Sequence, residues 1–298
     1  MTITEQTFSI LLSDGAQVVG RRAGNPAGVR LLITHGNGFA IEGYRVFFEP
    51  LLPEFDVILL DMRNHGRSPV GRRSAHHYER LALDIGEIRD GVVSRFGEKT
   101  TVGVFHSFSA RAAMKHAVEQ GWVWDALILF DPPSVPPLGH PLYEAMRQFE
   151  VRLVDWALQR QETFASVDEL IASFRENRAQ SRWLDEARVD MANAVLRADA
   201  GRWALNCPRE LEATIYLQAL SLDLWPKASE FGGPTKLIGA DPDMKGTPPT
   251  AMANRALGTE NGFVYEHVPG GGHLLQIEQP EGCRAAMLSF LRQCGILG

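Results

Sequence analysis

Cysteine is scarce in this chain of 298 residues: Cys207, Cys283 and Cys294 stand far apart, with no C-x-x-C. An odd, scattered set supports no disulfide framework and fits reduced thiols. No stretch reaches the roughly 18 uninterrupted apolar residues of a helical membrane span. The first residues, Met1–Gln6, lack a basic region followed by an apolar one, so no secretory leader is expected. Basic residues form no run, and 30 Lys and Arg against 36 Asp and Glu leave a formal net charge of −6. That balance offers no footprint for nucleic acid or for an anionic membrane surface. Neither a repeat of 20–50 residues nor a low-complexity tract is visible. There is no H-E-x-x-H and no Cys/His cluster, so no metal is expected. Gly36-Asn37-Gly38 lacks the third glycine of the dinucleotide fingerprint, so no cofactor is expected either. These absences lead us to expect a cytoplasmic protein with no nucleic-acid or membrane partner; whether it forms a homodimer stays open.

What is present suits a globular domain. Hydrophobic residues make up 45% and charged residues 22%, which excludes wholesale disorder. Phe8–Ser13, the Asp14-Gly15 turn and Gln17–Gly20 read as a hairpin. Short apolar runs then appear at Val29–Thr34, Val57–Leu60, Thr101–Phe105, Ala126–Phe130, Thr235–Ile238 and Phe263–His267. Runs of this length read as buried parallel strands. Between most of them lie helical patterns, as at Tyr78–Phe96, Arg111–Gln120 and Glu281–Leu291. The alternation predicts a mostly parallel sheet with helices on both faces. From about Pro132 to Gly233 no strand is evident, while helices are predicted over Leu142–Gln159, Ser166–Asn177, Arg182–Ala198 and Pro208–Leu222. The expected division is a core of residues 1–132 and 233–298 with a helical cap of residues 133–232 over the strand ends.

Ligands of open α/β sheets bind at the carboxyl ends of the strands. The residues there are His35-Gly-Asn-Gly-Phe39, Asp61-Met-Arg-Asn-His-Gly-Arg-Ser68, His106-Ser107-Phe108-Ser109-Ala110, Asp131, and Val268-Pro-Gly-Gly-Gly-His273. A hydroxyl, a carboxylate and an imidazole thus arrive at one edge of the sheet.

The ordered set of turn motifs, ending in G-G-G-H followed by the E-x-P-E of Glu278–Glu281, resembles the α/β-hydrolase superfamily over nearly the whole chain. The resemblance implies an eight-stranded core sheet, a helical cap and a nucleophile elbow at Ser107. A hydroxyl becomes a useful nucleophile only when a neighbouring base takes its proton. Ser107 would therefore be the nucleophile and His273 the base. The oxyanion would be held by the N–H of Phe108 and by Asn37, which stands in the family's oxyanion position, with Gly38 as an alternative donor. One departure concerns the position two before the nucleophile, where the family keeps a small residue and this chain has Phe105.

The acid has three candidates. Asp131 ends the strand after the elbow and is favoured; Asp243 and Asp241, in Gly239-Ala-Asp-Pro-Asp-Met244, remain rivals. Each would fix the tautomer of His273. Trp156, Trp183, Trp203 and Trp225 make the interval aromatic, suggesting an apolar pocket to which Phe39, Trp183 and Met191 contribute. The expectation is a serine hydrolase acting on an ester, thioester or lactone of a small apolar carbonyl substrate. Carbon–carbon bond hydrolysis or elimination in the same pocket, and a non-catalytic small-ligand receptor, are the alternatives. Dehalogenase and epoxide-hydrolase chemistry is disfavoured, since family members with those activities carry a carboxylate where Ser107 stands.

Overall fold

The computed structural model describes residues 4–298; Met1, Thr2 and Ile3, part of the N-terminal stretch considered above, lie outside the described residues. The chain opens with the hairpin, β1 (Thr4–Leu11) antiparallel to β2 (Gln17–Gly24), turned through Gly15 at φ +83°. The apolar runs become β3 (Arg30–Ile33), β4 (Asp56–Asp61), β5 (Thr101–His106), β6 (Ala126–Phe130), β10 (Thr235–Gly239) and β11 (Val264–His267). The eight strands form one sheet in the order β1-β2-β4-β3-β5-β6-β10-β11. All neighbours from β4 to β11 run parallel, and β2 joins β4 antiparallel.

Helices of ten or more residues among those described are α1 (Tyr78–Phe96), α2 (Phe108–Glu119), α3 (Tyr143–Gln159), α4 (Val167–Glu176), α5 (Asp185–Val195), α6 (Arg209–Ala219), α7 (Thr250–Asn261) and α8 (Pro280–Gln293). Apolar side chains of the central strands alternate between two cores, one on each face of the sheet. Leu31 and Ile33 point to one and Leu32 to the other, as the two-residue period of a strand requires. Burial on both faces explains why these strands read as unbroken apolar runs.

The helical interval holds α3 to α6, and Ser166 caps α4 by accepting the N–H of Glu169. It also holds a three-stranded sheet that the helical pattern concealed: β7 (Thr163–Phe164), β8 (Leu196–Asp199) and β9 (Arg202–Leu205), in the order β7-β9-β8. The reading of Arg182–Ala198 as one helix is corrected here. The helix stops at Val195, and the chain turns back through Ala200 at φ +45° and Gly201 at φ +80°. Positive φ at both central residues is what a two-residue hairpin needs. Alanine gave no warning of it.

Candidate active site

β5 ends in His106, and α2 begins at Phe108. Between them Ser107 has φ +54° and ψ −118°, a conformation L residues avoid. It is held there because its N–H donates to the Phe130 carbonyl at 2.9 Å while its own carbonyl accepts the Arg111 N–H at 2.9 Å. Ser109, the second residue of α2, accepts the His106 N–H and sends its hydroxyl toward the carbonyls of His35 and His106. Phe105 does not crowd the turn. Its ring packs edge-on against Trp124, centroids 5.4 Å apart, and lies over Gly103. A Cβ on Gly103 would come within 2.5 Å of that ring, so a glycine two residues upstream makes the room that a small residue at 105 would otherwise provide.

The Ser107 hydroxyl donates to His273 Nε2 at 2.9 Å, and His273 Nδ1 donates to Asp131 Oδ2 at 2.6 Å. Asp131 is fully buried, at φ +41°. Its Oδ1 accepts from the Ala240 N–H at 3.1 Å and from Asn254 Nδ2 at 2.9 Å, and its Oδ2 also accepts the Thr250 hydroxyl at 2.6 Å. Burial alone would push this carboxyl up, but His273, Thr250 and the Ala240 N–H outweigh it and hold Asp131 below its ordinary value. Thr250 and Asn254 lie one turn apart on α7, so one helix face serves the acid. Sequence reasoning missed both; an i, i+4 pair of small polar residues was the only trace.

The two rival acids do not meet His273. Asp241 spends its oxygens on the N–H groups of Asp243 and Gly270, tying down the loop that carries the histidine. Asp243 is exposed. These two and His267 bring three donor atoms within 4.8 Å of one another, the one such grouping among the described residues, but both Asp241 oxygens are already occupied.

Four buried histidines order the turns. His106 Nε2 donates to the His273 carbonyl at 2.8 Å, while its Nδ1 accepts from the Tyr44 hydroxyl at 2.7 Å, which itself accepts the Gly36 N–H. His35 Nε2 accepts the Met62 N–H at 3.0 Å, and His76 Nδ1 accepts from Asn64. His65 Nδ1 donates to the Arg63 carbonyl, leaving Nε2 to accept the Gly38 N–H at 3.0 Å. That last bond removes Gly38 as an oxyanion donor. The N–H groups of Asn37 and Phe108 find no acceptor among the described residues, and the Asn37 side chain is anchored on the Glu212 carbonyl at 2.9 Å.

A buried ion pair joins the helical interval to this edge, and a second, within the interval, lies against it. Arg111 of α2 grips Glu150 of α3 and the Pro133 carbonyl, and donates to the Tyr78 hydroxyl at 3.0 Å. Arg160 pairs with Glu212, whose carboxylate lies against Gly38. The expected pocket residues divide. Phe39 meets Trp183 edge-on at 5.6 Å, and Trp183 meets Phe174 at 5.1 Å. Met191 is no pocket residue: it is fully buried against Gly43 and belongs to the core beneath α5. Phe174 lines a cavity of 140 Å³ with Trp156, Arg160, Phe164 and Gln180. A larger cavity of 680 Å³ lies between Glu42, Arg67, Asp190 and Arg197, and none of Ser107, His273 or Asn37 lines either cavity.

A family model described as the alpha/beta hydrolase family matches residues 31–286. No curated protein matches. Among solved structures the chain is similar to E-2-(acetamidomethylene)succinate hydrolase, at TM-score 0.76 and 17% identity over 97% of this chain and 100% of that one. It is also similar to a thioesterase domain from the curacin biosynthetic pathway, at TM-score 0.70 and 18% identity over 97% and 100%. A third similar structure is an N-formylmaleamic acid deformylase from Pseudomonas putida S16, at TM-score 0.65 and 19% identity over 95% and 100%.

Proposed function

The chain belongs to the alpha/beta hydrolase family, and on that premise we propose that it is a serine hydrolase that cleaves an ester, thioester or lactone of a small molecule. The observation that carries this reading is the continuous relay from the Ser107 hydroxyl through His273 to Asp131, with spacings of 2.9 and 2.6 Å. In the proposed reaction His273 Nε2 takes the Ser107 proton as Oγ attacks the carbonyl carbon. The negative charge that develops on the carbonyl oxygen is met by the N–H groups of Phe108 and Asn37. His273 then hands its proton to the leaving alkoxide or thiolate. Water repeats the sequence on the acyl-serine, giving the acid and restoring Ser107. Asp131 keeps the Nδ1 proton in place and stays ionised throughout. The helical interval, residues 133–232, acts as a cap that the Arg111–Glu150 pair seats on the core, while Arg160–Glu212 ties two of its own helical segments together. The thioesterase named among the similar structures supports acyl transfer to water as the reaction class. A fluorophosphonate probe tests the reading: the protein should be labelled once, at Ser107, and the Ser107→Ala variant should not react. Labelling that survives this substitution would falsify the assignment.

A further inference from the structure

Arg160 touches both the turn below the cap and a cavity within it. One guanidinium nitrogen, Nη1, is bound to Glu212, whose carboxylate lies against Gly38; a Cβ at Gly38 would stand 2.9 Å from that same nitrogen. The guanidinium carbon sits over the Trp156 ring at 5.1 Å, and both residues line the 140 Å³ cavity. Nε and Nη2 of Arg160 have no acceptor among the described residues, although the side chain is only 9% exposed. Gln180, on the same cavity, is 7% exposed, and its amide likewise has no partner among them. Both groups reach the solvent of the cavity, where a ligand with matching acceptors displaces the water that satisfies them.

The charges have a direction. Glu212 lies on the Gly38 side of the pair, and Arg160 lies on the cavity side, where it is the only charged residue in the lining. The cavity therefore meets the positive end of the pair, with a planar donor fork free on that side. Trp156, Phe164, Leu170 and Phe174 supply apolar walls, and Phe174 leads back through Trp183 to Phe39 beside the turn. A volume of 140 Å³ is close to the ~150 Å³ that holds a benzene-sized guest.

We propose that this cavity holds the anionic tail of the substrate: a carboxylate on a short chain, bound by Arg160 and Gln180 while its acyl carbonyl rests at Ser107. The proposal rests on the serine-hydrolase reading and narrows its substrate to an acid-tailed ester or thioester. It also replaces the expectation of a wholly apolar substrate, which the aromatic residues alone suggested.

The test compares 4-nitrophenyl hydrogen succinate with 4-nitrophenyl butanoate, which has the same chain length and no terminal charge. Wild-type protein should favour the succinate ester by about ten-fold or more in kcat/KM, the scale of one charge-assisted bond. Replacing Arg160 alone would strand Glu212, so the variant of choice is Arg160→Gln/Glu212→Gln, which leaves no lone buried charge. In it, and more weakly in Gln180→Leu, the ratio should collapse toward one, chiefly through KM for the succinate ester. A wild-type ratio at or below one overturns the inference, as does failure to turn over the succinate ester while Ser107 still labels; the hydrolase reading survives either result. A preference that persists in the double variant overturns the role of Arg160. Loss of Ser107 labelling removes the hydrolase reading itself, and the inference with it.

Discussion

Asp131 receives four hydrogen bonds on two oxygens, one of them from His273, and on that geometry the proposed reaction takes it as the acid over Asp241 and Asp243. Asp131→Asn keeps the shape but turns an N–H toward His273 Nδ1, forcing the wrong tautomer. The expected loss in kcat is about 10⁴-fold, read on any turned-over nitrophenyl ester. Asp241→Asn and Asp243→Asn should each stay within a few-fold, and an equal loss in Asp243→Asn would sink the assignment. At this scale the sequence revealed which strand ends carry a hydroxyl, an imidazole and a carboxylate. It could not rank the acids, because the ranking depends on Thr250 and Asn254 arriving from α7, more than a hundred positions away, and on Asp241 being consumed by its own loop.

The elbow is set by packing along β5 rather than by the turn alone. Gly103 and Phe105 share a face of the strand, and the ring fills the space the glycine leaves. Gly103→Ala would bring a methyl within 2.7 Å of Leu127 and push Phe105 forward toward Ser107. We expect a stability loss of about 1–3 kcal/mol by denaturant titration together with reduced labelling of Ser107. Restored labelling in Gly103→Ala/Phe105→Ala would show that the ring transmits the effect, whereas normal labelling in the single variant would refute the account. The strands were legible because burial on both faces leaves unbroken apolar runs. The hairpin of β8 and β9 was not, since Leu196–Asp199 has one buried residue and three exposed ones, too short a pattern to separate from a helix end.

Across the molecule, acid stability should be governed by histidines held neutral. Burial lowers His35 to about 4 and His65, His76 and His106 to about 3, while it raises Asp61 to about 6. Unfolding releases the histidines to about 6.5 and the aspartate to about 3.9. Between pH 5.5 and 4.5 the unfolded chain therefore binds four more protons at the histidines, and the folded chain one more at Asp61. Over these five groups the net difference of three makes stability fall as pH falls, their share being about 4 kcal/mol per unit, and the histidine contribution is fully present only above about pH 6.5. Urea unfolding at pH 5.5 and 4.5 measures it; equal or greater stability at the lower pH would contradict the scheme. Sequence placed His35, His65 and His106 at the strand ends, but the neutrality of the four imidazoles comes from depth, which no local pattern encodes. The pair Arg111–Glu150 works at the same scale, and Glu150→Ala should cost about 3–5 kcal/mol by leaving Arg111 buried without its carboxylate.

The polypeptide leaves the sheet for its roof at Asp131 itself, and Arg111 moors the departing strand at Pro133. Any graft that exchanges the roof for another inherits this seam. Cut directly after Asp131, a chimera would let foreign chain pull on the carboxylate that steers the imidazole. Cut after Ser134, with Arg111 kept and a carboxylate supplied where Glu150 meets it, it would confine the exchange to what enters the vestibule and leave the chemistry below undisturbed.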